Sequence, residues 1–306
     1  MHVCEVTALN FNLFTSLLTN GLAMGTLYAL IAMGLILLVR AVGILNFAQG
    51  DLLMFGAYIT CMLTMDLKLP FYLMVPLALI CFSVVGIIFT FGVYWPTRNA
   101  SYAQATTIAT MGASIVLKET ATLIWGSMPR SMPAFVTNPE TGKALVLRIG
   151  SIKLQFQYIL IIAVGIILMF LVTQLFEKLY CGRVLQAAAQ DQYAASLLGI
   201  PSVITITITY CLVVILASIG GYMVSPIFMV STSLGAFQLR AFAGVVIGGF
   251  GNIRGAIIGS LMVGIIEAFA SIRFSAYKDA VIFLILIIIL LIRPQGLFGE
   301  IISDKA

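Results

Sequence analysis

The run LFTSLLTNGLAMGTLYALIAMGLILLV, residues 13–39, passes 27 positions without a charge. Crossing a hydrocarbon core of about 30 Å takes about 20 helical residues, so this run alone is long enough to span a bilayer. Residues 1–12 ahead of it hold no basic cluster and no small-residue cleavage site, and the run therefore reads as a retained span and not as a signal peptide. Further apolar stretches fall at 52–65, 70–94, 103–125, 157–176, 203–224, 238–250, 256–272 and 279–292. The reading is an all-α polytopic membrane protein of eight to nine hydrophobic segments in one transmembrane domain over 1–306. The stretches that begin near Leu52 and Leu239 are too short to span unaided.

Composition agrees with that reading. Of 306 residues, 61% are hydrophobic and 9% charged, against about 25% charged in a soluble domain. The formal charge of +5 is spread thinly, without the basic and aromatic clustering of nucleic-acid binders. Cys4, Cys61, Cys81, Cys181 and Cys211 are scattered and form no CxxC, so neither disulfides nor a metal site is expected. His2 is the sole histidine, no Gly-x-x-x-x-Gly-Lys-Ser/Thr phosphate loop is present, and no Gly-x-Ser-x-Gly or His-Glu-x-x-His motif occurs. The chain on this reading is not an enzyme and takes no cofactor of its own.

One polar insertion, residues 126–157, carries Pro129, Pro133 and Pro139 and an alternating Leu145, Leu147, Ile149 patch that predicts a small hairpin. Lys and Arg are nearly balanced between the two sets of loops. The 177–202 connection is placed in the cytoplasm, and 126–157 outside, on the strength of a motif.

That motif runs from Gly182 to Pro201. Alanine-rich sequence favours helix, Gly199 supplies a stop and Pro201 prevents continuation. Val184, Ala188, Ala195 and Leu198 recur at helical spacing, interrupted by Asp191, with Arg183, Gln186 and Gln190 opposite. A short helix with small apolar residues on one face suits a groove in a soluble partner. An amphipathic connector resting on headgroups would share the pattern.

Two glycine-rich breaks interrupt the apolar runs: Asn46 to Asp51, and Gly248 to Gly251 followed by Asn252. Non-helical backbone at membrane depth is tolerated where it is buried in protein or lines a cavity. Asn46, Gln49, Gly50, Asp51, Gly248, Gly249, Gly251 and Asn252 are thus candidates for a translocation path, with helix capping by Asn46, Asp51 and Asn252 as the plainer role. Gly21 with Gly25, and Gly251, Gly255 and Gly259, form small-xxx-small steps suited to helix packing. Lys118, Glu119 and Glu267 lie inside apolar stretches, where charge is costly. Lys118 is expected to reach toward the interface, and Glu267 to serve in hydrogen-bonded packing.

The Gly182 to Pro201 segment resembles the coupling loop of ATP-binding-cassette importer permeases. Its Ala-x-Asp-x-x-x-Ala-x-x-Leu-Gly-Ile form is similar to the branched-chain amino-acid (LivH/LivM type) family. Gly21 to Gly34 resembles that family's first span. Leu45-Asn46-Phe47-Ala48-Gln49-Gly50-Asp51 resembles its Asn-Phe-Ala-His-Gly-Glu element, with Gln49 and Asp51 in place of His and Glu. Val246 to Ala256 is similar to Gly-Gly-x-Gly-x-x-x-Gly-Ala, with Arg254 where Pro is common, and Arg293 to Gly299 follows the family's tail.

The resemblance implies a permease subunit of the prokaryotic plasma (inner) membrane that moves leucine, isoleucine and valine by alternating access. A second permease subunit, an extracytoplasmic solute-binding protein, and cytoplasmic P-loop ATPases holding ATP and magnesium would complete the importer. Arg183, Ala187, Ala188, Gln190, Asp191, Ala195, Leu198 and Gly199 would engage the ATPase. Related permeases carry urea or short amides. The rival reading is an ion-coupled carrier using Glu267, Asp51 and the Lys118 and Glu119 pair; it leaves the Gly182 to Pro201 helix without a purpose.

Overall fold

The computed structural model describes residues 2–98, 100, 102, 104–136, 145–149, 152–178, 180–190, 195, 197, 199 and 201–299. Its longer helices are α1 (His2–Val42), α2 (Gln49–Cys61), α3 (Phe71–Phe89), α4 (Ala105–Trp125), α5 (Phe156–Glu177), α6 (Tyr180–Gln190), α7 (Ser202–Val224), α8 (Phe237–Gly248), α9 (Ile253–Arg273) and α10 (Lys278–Ile292). Among the described residues six segments are long and apolar enough to cross a membrane: 12–42, 71–97, 156–177, 203–224, 253–273 and 275–292. A shorter apolar helix covers Thr232–Gly248.

One expectation is corrected. α2 does not start at the apolar Leu52 but at Gln49, and it runs on through a π-helical turn, Met62–Asp66. The continuous helix reaches about 27 Å at roughly 1.5 Å per residue, close to a full span. The polar start concealed its length, because Gln49 and Asp51 find partners inside the fold and need no water.

The expected hairpin is present. Strands β1 (Val146–Ile149) and β2 (Ile152–Gln155) pair antiparallel, with Val146 opposite Gln155 and Ile149 opposite Ile152. Val136 and Leu145 close its base through a backbone hydrogen bond of 3.0 Å.

Several hydroxyl side chains sit within the apolar helices because they donate to a carbonyl one turn back. Thr26 donates to Leu22, Thr60 to Gly56, Thr90 to Gly86 and Ser225 to Gly221. The polar group is thereby satisfied without a neighbour.

The chain divides into two compact units. One holds 33–132 and 168–239; the other holds 1–32, 133–167 and 240–306. In the first, α7 lies along α2 and α3. A β-carbon on Gly221 would collide with the Leu53 carbonyl, one on Gly56 would collide with Ser218, and one on Gly86 would stand 2.8 Å from Cys211 Cα. Lipid offers no hydrophobic drive to join helices, so close backbone approach supplies the attraction.

In the second unit α9 is the crossing helix. β-carbons on Gly21 and Gly25 would lie 2.9 Å from Ile265 Cα and 2.8 Å from Leu261 Cα, and Gly255 and Gly259 abut Gly248 and Gly244 of α8. α10 buries only 6% of its apolar window, leaving Leu284, Ile287, Leu291 and Ile292 for lipid or another chain.

Candidate translocation site and coupling helix

The backbone between α1 and α2 leaves the helix from Gly43 to Ala48. Its freed groups are met by side chains. The Phe47 amide donates to Thr110 Oγ1 at 3.0 Å, the Ala48 amide to Asn46 Oδ1 at 3.0 Å, and the Asn46 carbonyl accepts from Gln238 Nε2 at 3.2 Å. Asn46 Nδ2 donates to Gln49 Oε1, whose own amide donates to the Val213 carbonyl of α7 at 3.2 Å. Asn46, Gln49, Thr110 and Gln238 are all buried. This break is thus sealed in protein, the condition that makes it stable in a bilayer.

Asp51 follows one turn into α2. Its carboxylate accepts from Ser114 Oγ, and Lys118 Nζ stands 3.6 Å from the other oxygen. Ser114 lies about 14 Å from one end of α4 and about 17 Å from the other at roughly 1.5 Å per residue, which puts Asp51 beside the middle of that helix. Gly50 leaves no side chain because Gln238 Cβ would stand 2.7 Å from its β-carbon. Thr110, Ser114 and Lys118 recur every fourth residue. That polar stripe on an otherwise apolar helix is legible in sequence once Lys118 is treated as its third member. Lys118 does not merely reach outward; it turns to Asp51.

The second break has another partner. Gly249 and Gly251 take φ of 112° and 92°, in the left-handed region that favours glycine. The tail after α10 folds onto them: the Leu297 amide donates to the Ile247 carbonyl at 2.9 Å and the Phe298 amide to the Gly248 carbonyl at 3.0 Å. Asn252 caps α9, accepting from the amides of Arg254 and Gly255. Asn252 Nδ2 also donates to the Phe298 carbonyl at 3.2 Å.

Glu267 of α9 is buried with several partners. Tyr28 donates to one oxygen, and Arg240 Nη1 and Lys278 Nζ approach the other at 3.2 and 2.9 Å. Arg240 Nε also pairs with Asp279 at 2.8 Å. Only Glu267 was marked by sequence, since Arg240 and Lys278 flank apolar stretches as ordinary loop charges do.

α6 carries Arg183 and Ala187 on its exposed side, while Gln186 turns back and donates to the Phe176 carbonyl of α5 at 2.6 Å. Ala195 is buried and Gly199 sits at φ 78°. Asp191, Leu198 and the side chains of Ala188 and Gln190 lie outside the described residues. Among the described residues no three His, Cys, Asp or Glu side chains come together as metal ligands.

The model of the family described as "Branched-chain amino acid transport system / permease component" matches residues 17–290. The chain belongs to this family. The permease is 32% identical to the high-affinity branched-chain amino acid transport system permease protein BraD of Pseudomonas aeruginosa, over 92% of this chain and 95% of that one. It is 29% identical to LivH, the permease protein of the corresponding Salmonella typhimurium system, over 95% and 97%. A probable LivH of Methanocaldococcus jannaschii is 25% identical over 92% of each. The permease is therefore an ATP-binding-cassette transport subunit, a multi-pass protein of the prokaryotic plasma membrane.

Proposed function

We propose that this permease is one half of the membrane conduit of an ATP-driven importer for leucine, isoleucine and valine. Its match to the family over 17–290, at nearly full length against BraD and LivH, carries the reading. The partners are a second permease subunit, cytoplasmic P-loop ATPases and an extracytoplasmic binding protein. ATP and magnesium stay with the ATPases, since this sequence holds no phosphate loop and no catalytic constellation.

Residues 177–202 face the cytoplasm, and this segment engages the ATPase groove by Arg183, Ala187, Ala188, Gln190, Asp191, Ala195, Leu198 and Gly199. Residues 126–157 lie outside, where the hairpin meets the binding protein. Asn46, Gln49, Gly50 and Asp51 adjoin the path, supported by a sealed helix break and a carboxylate at mid-helix depth. Gly248, Gly249, Gly251 and Asn252 serve the movement of the path, through the tail that docks on them.

The assembled importer in proteoliposomes is expected to accumulate radiolabelled leucine only with ATP. Accumulation by this chain alone without nucleotide would end the reading, and uptake of urea or acetamide but not leucine would replace its solute. Co-purification of the ATPase tests this segment: Asp191→Lys with Ala188→Trp is expected to abolish it.

A further inference from the structure

We propose that Asp51, Ser114 and Lys118 form a seat for the charged end of a zwitterionic solute, opened by exchanging the internal ion pair for the solute's own charges. The proposal rests on the amino-acid reading above and names the group that the site recognises.

The Asp51 side chain is 4% exposed and Lys118 is 42% exposed. Asp51 Oδ1 has no donor within 3.5 Å among the described residues; its nearest cation, Lys118 Nζ, stands at 3.6 Å as an ion-pair partner. An ionised carboxylate has about four acceptor sites, and a buried acceptor left unfilled costs free energy. Gln238 Oε1, on the segment packed over Gly50, is a second buried acceptor without a donor among the described residues. Gly235 packs its backbone directly over the pair: a β-carbon there would collide with Asp51 Oδ1 and stand 3.2 Å from Lys118 Cε.

Unfilled acceptors beside a loosely held cation are the complement of an α-ammonium and an α-carboxylate. An ammonium carries three donors, enough for Asp51 Oδ1 and one further acceptor. The released Lys118, a compact charge on a flexible stem, pairs with the solute carboxylate. Each charge is paired before and after, so the net charge at this depth does not change, which keeps the cost of an intramembrane charge low. Urea and amides offer no charges to exchange. Access is along Lys118, the exposed member.

The plainer role is neutralisation of Asp51 alone, and a double substitution separates the two. Asp51→Asn with Lys118→Met removes both charges together and leaves no unpaired one. Seating predicts that the assembled importer, co-purified with its ATPase, loses leucine uptake by about tenfold or more, the scale of one charged hydrogen bond. Neutralisation alone predicts uptake at the wild-type rate, and that result overturns the proposal. Should the double variant fail to assemble, the wild-type complex decides. Acylation of Lys118, read by mass spectrometry, is expected to slow in excess leucine but not in leucinamide or 4-methylpentanoate; equal labelling with and without leucine overturns the proposal. A wild-type importer that moves no leucine sinks the amino-acid reading itself, a different outcome from a double variant that moves it normally.

Discussion

Tyr28 Oη donates to Glu267 Oε2 at 2.5 Å, joining the middle of α1 to the late turns of α9. The other Glu267 oxygen faces Arg240 and Lys278. Removing the carboxylate leaves a nearly buried Arg240, 12% exposed, without its inner partner. Breaking a buried pair costs about 3–5 kcal/mol. Glu267→Ala is therefore expected to lower the melting temperature of the detergent-purified permease clearly. Asp279, 56% exposed, belongs to the class of surface pairs worth about 0–1 kcal/mol, so Asp279→Ala should scarcely move it. Equal shifts would refute this ranking.

Gly296 of the tail faces Gly249 of the second break, and a β-carbon on Gly296 would stand 2.6 Å from Gly249 Cα. Gly296 also has φ 79°. Gly296→Val combines a collision with a strained backbone, about 1–3 kcal/mol for the strain alone. The tail is expected to lose its hydrogen bonds to Ile247 and Gly248 and to become a cleavage site for added protease. A tail cut no faster than in the wild type would show that its docking does not need this glycine.

This pairing shows where sequence stops. The Gly248 to Asn252 break and the Arg293 to Gly299 tail were each visible as a motif, yet nothing in one names the other. Their relation is a backbone contact between Gly249 and Gly296, 47 residues apart, and a residue without a side chain leaves no complementary partner to read. Spans were legible because lipid demands unbroken apolar length. Where polar residues are satisfied internally, as at Gln49 and Asp51, the same rule shortened a helix that is in fact nearly full length. The role of Lys118 was hidden for a related reason: ion pairs between helices are set by crossing geometry, and the sequence records only the residues.

Glycines in the helices divide by what surrounds them, and the division can be measured. Gly221 meets the Leu53 carbonyl, whereas Gly112 of α4 has nothing within 4 Å. Gly221→Ala is expected to push α7 from α2 and cost about 1–3 kcal/mol, as overpacking does. Gly112→Ala should be neutral or stabilising by up to about 1 kcal/mol through helix propensity. Thermal unfolding of the two variants side by side checks the sign. A Gly221→Ala protein as stable as the wild type would mean that the α2 and α7 crossing relaxes freely.

Force from an ATPase can reach the spans through α6 only if α6 is tied to them. Gln186 provides such a tie through the Phe176 carbonyl at 2.6 Å. Gly182 lets the two helices close, since its β-carbon would stand 2.6 Å from Phe176 Cα. Gln186→Leu keeps the size of the side chain and removes the donor, leaving the exposed face with Arg183 and Ala187 intact. The ATPase is therefore expected to co-purify as before, while leucine moved per ATP hydrolysed falls several-fold, because the groove then moves a helix no longer fixed to α5. Unchanged stoichiometry would place the transmission elsewhere; lost co-purification would make Gln186 part of the docking face instead of the tie behind it.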